Sequence, residues 1–172
     1  FSQLKPGARI VSHDFDMGNW KPDERTTISV PEKTYGPPSS EIYLWVIPVD
    51  ASGRWQWQMT LDGQTVDGGF TLDQTFQMLS GHGQLGKEPG ELIEARVRGA
   101  RFTAAMQVAI GGRPQRVDFT GDVDGDRLSG WIRIAGRQDI HWSAMRVARG
   151  TMRIDAATEI AAERVADAGR LH

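Results

Sequence analysis

One repeating unit constrains this chain more than anything else in it: a short run of alternating apolar and polar residues, closed by a turn signal. Trp55-Gln56-Trp57-Gln58-Met59-Thr60-Leu61 has a period of two, as a half-buried strand does, and Asp62-Gly63 supplies the hairpin turn after it. Further runs at 70–72, 76–79, 95–98, 101–106, 117–121, 128–134 and 141–147 continue the pattern. Turns at Gly99-Ala100, Gly111-Gly112 and Asp124-Gly125 fall at the spacing of an all-β sandwich or small barrel. Val97-Arg98-Gly99-Ala100-Arg101-Phe102 echoes Val123-Asp124-Gly125-Asp126-Arg127-Leu128, which reads as one hairpin chemistry used twice.

Composition narrows the class. The chain has 172 residues, 39% hydrophobic and 24% charged, which suits one ordinary globular domain or two small ones. A net charge of −2 argues against a nucleic-acid partner held through phosphates. No apolar run approaches the roughly 18 residues of a membrane span. The absence of cysteine excludes a disulfide scaffold, a thiolate metal site and a cysteine nucleophile. Three segments are expected: 1–50, richer in proline; 51–150, the antiparallel barrel-like part; and 151–172, a tail. In that tail Met152, Ile154, Ala157, Ile160, Ala161, Val165 and Ala168 recur at helical spacing, predicting an amphipathic helix that stops at Gly169. The chain opens Phe1-Ser2-Gln3-Leu4 without an initiator Met and reads as a piece of something longer.

Several motifs fail on context. Gly81-His82-Gly83-Gln84-Leu85-Gly86 matches G-x-G-x-x-G, but Lys87-Glu88-Pro89-Gly90 starts no helix, so a glycine-rich hairpin is expected. Asp122-Val123-Asp124-Gly125-Asp126 resembles a calcium loop, yet its sixth and twelfth positions hold Arg127 and Arg133. The histidines at 13, 82, 141 and 172 have no metal-ligand spacing, and no metal site is predicted. Trp55, Trp57, Trp131 and Trp142 are assigned to the core of the barrel rather than to stacking on sugars or bases.

The first fifty residues differ in kind. A short strand after Pro6-Gly7 ends abruptly in His13, Asp14 and Asp16, followed by Trp20. Two readings are open. Ligands of open α/β sheets bind at the carboxyl ends of strands, which makes the loop a candidate site. Alternatively, the carboxylates cap the strand by bonding loop N–H groups, and Trp20 is packing.

Leu4-Lys5-Pro6-Gly7-Ala8-Arg9-Ile10-Val11-Ser12-His13-Asp14-Phe15-Asp16-Met17-Gly18-Asn19-Trp20-Lys21-Pro22-Asp23, with Ile42-Tyr43-Leu44-Trp45-Val46-Ile47-Pro48, resembles the C-terminal part of bacterial class I S-adenosylmethionine-dependent methyltransferases. The branch is the one similar to Dot1-like and ATP-synthase-subunit-c lysine methyltransferases. Trp142-Ser143-Ala144-Met145-Arg146 matches a Trp-x-Ala-x-Arg pattern that ends the family's β-rich extension. The resemblance implies a mainly β chain: the last strands of a Rossmann-like methyltransferase sheet, with 43–48 in its terminal antiparallel pair, then a small antiparallel β-barrel or sandwich. It also implies that the glycine loop and the acidic residue binding S-adenosylmethionine would precede Phe1. The parent would use that cofactor, this chain alone would not bind it, and the methyl acceptor would be a lysine amine or another nucleophile. His13, Asp14 and Asp16 would be the catalytic groups, assisting deprotonation of the acceptor, and Trp20 would line the substrate side. The alternative is a stand-alone β-rich ligand- or protein-binding module.

Overall fold

A computed structural model describes residues 4–154, which form twelve strands in two sheets and no helix. The chain divides into a first unit ending at Ile47 and a second unit, Pro48–Arg153.

The first unit is a sheet of β1 (Arg9–His13), β2 (Glu24–Ser29) and β3 (Ser39–Val46), in the order β1-β3-β2. Both pairings are antiparallel, with Ile10 opposite Trp45 and Glu24 opposite Leu44, so β1 and β2 run parallel to each other on either side of β3. Residues 14–23 therefore travel back along the sheet before β2 can begin. On the way Trp20 packs against Trp45, ring centroids 6.4 Å apart, and its carbonyl accepts the Trp45 indole N–H at 2.8 Å. On the opposite face stand Val11, Ile28, Ile42 and Leu44, where Val11 is 65% exposed. The Rossmann-like layer expected here is not seen among the described residues: each pairing is antiparallel, and no helix covers a face. The apolar run of β3 is likewise not covered on both sides, since Ile42 and Leu44 are only half-buried.

The second unit is a closed barrel. Its strands are β4 (Gly53–Leu61), β5 (Gln64–Thr75), β6 (Met78–Leu85), β7 (Glu88–Arg98), β8 (Arg101–Ile110), β9 (Arg113–Asp124), β10 (Arg127–Ile134) and β11 (Ile140–Arg149). Each pairs antiparallel with the next, and β11 pairs with β4, so eight strands close with no free edge. The turn chemistry matches the hairpins. Asp62 and Gly63 have φ of 52° and 78°, the paired positive angles of a type I′ turn, whose twist suits antiparallel strands.

Eight strands enclose a space just wide enough for side chains to fill or for one small ligand. Here side chains fill it. Trp57 lies within 6 Å of Phe70, Phe119 and Trp142, and Phe119 meets Phe70 edge-on at 4.9 Å. Room for these rings comes from inward-facing glycines. A Cβ on Gly68 would stand 2.2 Å from the Trp57 ring, and one on Gly90 would stand 2.5 Å from Met106. The outer face carries charges, among them Arg101, Arg116, Asp122 and Arg133. A barrel with an apolar interior and a charged exterior is the reverse of one built to sit in lipid. No described helix is long and apolar enough to cross a membrane.

One end of the barrel is held by Arg146. Trp142, Ala144 and Arg146 all turn inward at alternate positions of β11, which gives the Trp-x-Ala-x-Arg pattern its physical meaning. The Arg146 guanidinium donates to the carbonyls of Ser52 (2.8 Å), Asp50 (2.9 Å) and Gly125 (2.8 Å), and lies over the Trp55 ring at 4.6 Å. Asp126 Oδ1 stands 3.1 Å from its Nε. Burial lowers the Arg146 pKa, yet a guanidinium keeps its charge.

The helix expected from Thr151 does not begin there. Met152–Arg153 is extended as β12, parallel to β5, because its backbone pairs with Gln74 and Thr75, and Phe76 N donates to the Arg153 carbonyl at 3.1 Å. The rest of that expected helix lies outside the described residues.

Candidate functional site

Because β1 and β2 are parallel, both deliver their following residues to the same edge of the first sheet. The two segments meet there through Asp14 and Lys33. Asp14 has a positive φ of 56°, which a short polar residue tolerates, and it extends the strand ladder with its own side chain. Its N–H donates to the Glu41 carbonyl at 2.8 Å, and its Oδ1 accepts the Glu41 N–H at 2.7 Å. The other oxygen takes Lys33 Nζ at 2.9 Å, and Lys33 also donates to Ser39 O and Ser40 Oγ at 3.0 Å. The Lys33 bond first, then the Glu41 amide, lower the Asp14 pKa from 3.8 to about 2. A carboxylate held so acidic is a poor acceptor of protons near neutral pH. Its evident work is to pin two loops together.

The other sequence-derived candidates fall in different places. His13 is exposed, with Nδ1 3.6 Å from Asp14 Oδ2. Asp16 Oδ1 accepts the Gly18 N–H at 3.1 Å, closing an Asx turn in the segment that crosses the sheet. Trp20 is buried at 2% exposure, on the Trp45 face rather than at the edge. The structure thus brings His13 and Asp14 together, joins them to Lys33 and Glu41, keeps Asp16 close enough to act on Tyr43, and sets Trp20 apart.

Lys33 and Glu41 were not legible beforehand. They lie 19 and 27 positions from Asp14, in a turn-rich connection and the strand after it, and only pairing across β3 brings them close. Glu41 also takes bonds from Arg25 and the Tyr43 hydroxyl, which hold its carboxyl below the usual range, and its bond to Tyr43 raises the tyrosine. The edge therefore presents a neutralised network with an exposed imidazole beside it. Such an arrangement can orient a polar acceptor and take a proton at His13.

In the barrel, Gly81 to Leu85 lie inside β6, and Gly86-Lys87 is the turn to β7, so the glycine-rich stretch is a hairpin. Asp126 serves the Arg146 plug through its carboxylate, which also pairs with Arg149 at 2.7 Å. Of the four tryptophans assigned to the core, Trp55, Trp57 and Trp142 are interior, but Trp131 is 52% exposed, its ring 5.3 Å from that of His141. The correction follows from register: Trp131 sits at an odd position of β10 between inward-facing Gly130 and Ile132, so it must face out. The described residues hold no cluster of three or more His, Asp or Glu able to bind a metal. A groove of about 1010 Å³ runs over the outer face of β11, β4, β5 and β6. No protein-family model matches this chain, and none of the curated proteins or solved structures compared with it does either.

Proposed function

We propose that this chain is the C-terminal portion of an S-adenosylmethionine-dependent methyltransferase, with β1 to β3 closing its catalytic sheet and the barrel as an accessory domain. One observation carries the reading. A strand antiparallel to both neighbours separates two parallel strands, while the outer edges of β1 and β2 are unpaired among the described residues. The unpaired edge of β1 and the uncovered Val11, Ile42 and Leu44 are what a larger sheet and its helices would cover. The resemblance over 4–48 supplies the family, and it places 43–48 in the terminal antiparallel pair, where β3 is antiparallel on both sides.

In this reading His13, on the carboxyl edge, is the group that takes a proton from the acceptor amine, and Asp14 positions it. The cofactor supplies the electrophilic methyl group, and positioning of the amine provides most of the rate. Asp16 and Trp20 shape the segment behind the edge.

The test has two arms. Calorimetry on this chain alone should show no binding of S-adenosylmethionine, whereas the polypeptide encoded upstream and through this chain should bind it and methylate protein lysine. In that longer polypeptide His13→Ala should lower kcat about tenfold, some 1.4 kcal/mol of transition-state stabilisation, with an unchanged melting temperature. An upstream sequence without a glycine-rich cofactor loop would sink the proposal. It would favour the second reading, a β-rich binding module, for which the closed barrel with its complete core already speaks.

A further inference from the structure

We propose that the outer groove of the barrel binds a short neutral oligosaccharide. The groove is made by three rows of outward side chains running across the strands. The middle row is Met145, Gln56, Gly69 and Gln84, ladder partners in succession on β11, β4, β5 and β6. Gly69 has no side chain, so the floor sinks to the backbone between two glutamines. On one flank Gln58 donates to Asp67 Oδ1 at 2.8 Å, with Ser143 beside them. On the other, Arg54, Thr71 and His82 are paired across β4, β5 and β6.

Three properties select the ligand. First, every strand under the groove is hydrogen-bonded on both sides, so no backbone edge is open for an added peptide strand, and recognition must come from side chains. Second, the groove has one fixed cation, Arg54, and one carboxylate, Asp67, on opposite flanks and the latter engaged by Gln58, so neither a polyanion nor a polycation is selected. Third, the central polar groups are the Gln56 and Gln84 amides, with the Ser143 and Thr71 hydroxyls on the flanks. Each glutamine offers both donor and acceptor, as does each hydroxyl of a sugar, so a glutamine can bridge neighbouring hydroxyls in either sense. Met145 and Val147, half exposed along the β11 side, provide an apolar wall for the C–H face of a pyranose. Trp131 stands opposite His141, one outward position beyond Ser143, and offers an exposed aromatic surface at that end. Four strands span about 14 Å, room for roughly three sugar units.

The experiment uses the whole chain and a panel of neutral tetrasaccharides, linked β-1,4-glucose, α-1,4-glucose, mannose and N-acetylglucosamine, followed by amide chemical shifts. At least one should shift Gln56, Gly69, Thr71 and Gln84 saturably at millimolar concentration. Gln56→Ala with Gln84→Ala should weaken that binding about tenfold or more while leaving the melting temperature in place. The proposal is overturned if no tetrasaccharide shifts these amides, if the shifts map elsewhere, or if the double variant binds as well as the parent. Gly69→Ser, which puts a side chain into the floor, should also reduce binding; unchanged affinity there would count against the groove as the site.

Discussion

The barrel is built from strands of eight to twelve residues and the first sheet from strands of five to eight, and the two use them in opposite ways. The contiguous hydrophobic cluster, from Ala51 to Ala144 in sequence, lies entirely within the barrel unit. In the first unit the buried apolar residues are Trp20, Trp45, Val46 and Ile47, while Val11, Phe15 and Ile28 stay exposed and every residue of β2 is exposed. Closure explains the contrast. Eight strands that return to their start satisfy every backbone edge and turn alternate side chains into a common interior, which three strands cannot do. The barrel pairs its own edges and holds its own core, and the first sheet leaves both open among the described residues.

Excision should break the comparison most sharply. Residues 48–153 alone should unfold in one cooperative transition with retained near-ultraviolet dichroism, and residues 1–47 alone should show the collapsed amide dispersion of an unfolded chain. The boundaries matter, because the carbonyls of Asp50 and Ser52 hold Arg146 and β12 extends β5. A disordered 48–153 fragment would refute self-sufficiency outright.

Within the barrel, the end plug is the next lever. Arg146→Ala strips three carbonyls of this donor and leaves Asp126 paired with Arg149 alone, and should cost roughly 3 kcal/mol in urea unfolding. Arg146→Lys should recover less than half of that, since an ammonium cannot fork across three carbonyls and a ring face. A loss below about 1 kcal/mol for the alanine variant would show that closure does not depend on this residue.

The smallest effect is confined to the first sheet and sharpens the contrast by pH. The folded pKa of Asp14 lies below its unfolded value, so its contribution is fully present above about 3.8 and is lost as pH falls through about 2. Amide exchange at Glu41 should accelerate across that window in the parent chain. In Asp14→Asn the step should shrink to what the Glu41 carboxyl, also held below the usual range, contributes, and barrel amides away from Asp139 should respond alike in both proteins. Barrel amides away from Asp139 that accelerated over this window in the parent chain and not in Asp14→Asn would show that the effect of Asp14 is not confined to the first sheet.

Particular elements show how far local pattern reaches. Trp55 to Leu61 was legible as a strand because its large residues alternate. The strand β6 was half hidden, since two of its alternating positions are Gly81 and Gly83, which leave no apolar mark between Leu79 and Leu85. β7 was read only from Ala95 because a bulge interrupts it: Glu94 has a φ of 53° and the register jumps between Ile93 and Arg96, so Leu92 and Ala95 both turn inward. In the candidate site, the position of His13 and Asp14 at a strand end was visible. The pinning of Asp14 by Lys33 was not.

By itself the sequence determined the mainly β character, the hairpin turns at Asp62-Gly63 and Gly111-Gly112, and the inward face of β4. These depend on period-two burial and on backbone angles set within two or three residues. Only the tertiary structure decided that the strands close into a barrel, that glycines face Trp57 and Met106, and that Asp14 is a pin. Each of those outcomes is a contact between residues far apart in the chain, such as Arg146 and Ser52, 94 positions apart. No local rule encodes which distant strand will stand alongside, because that choice is settled by the joint packing of a filled interior and the satisfaction of every edge.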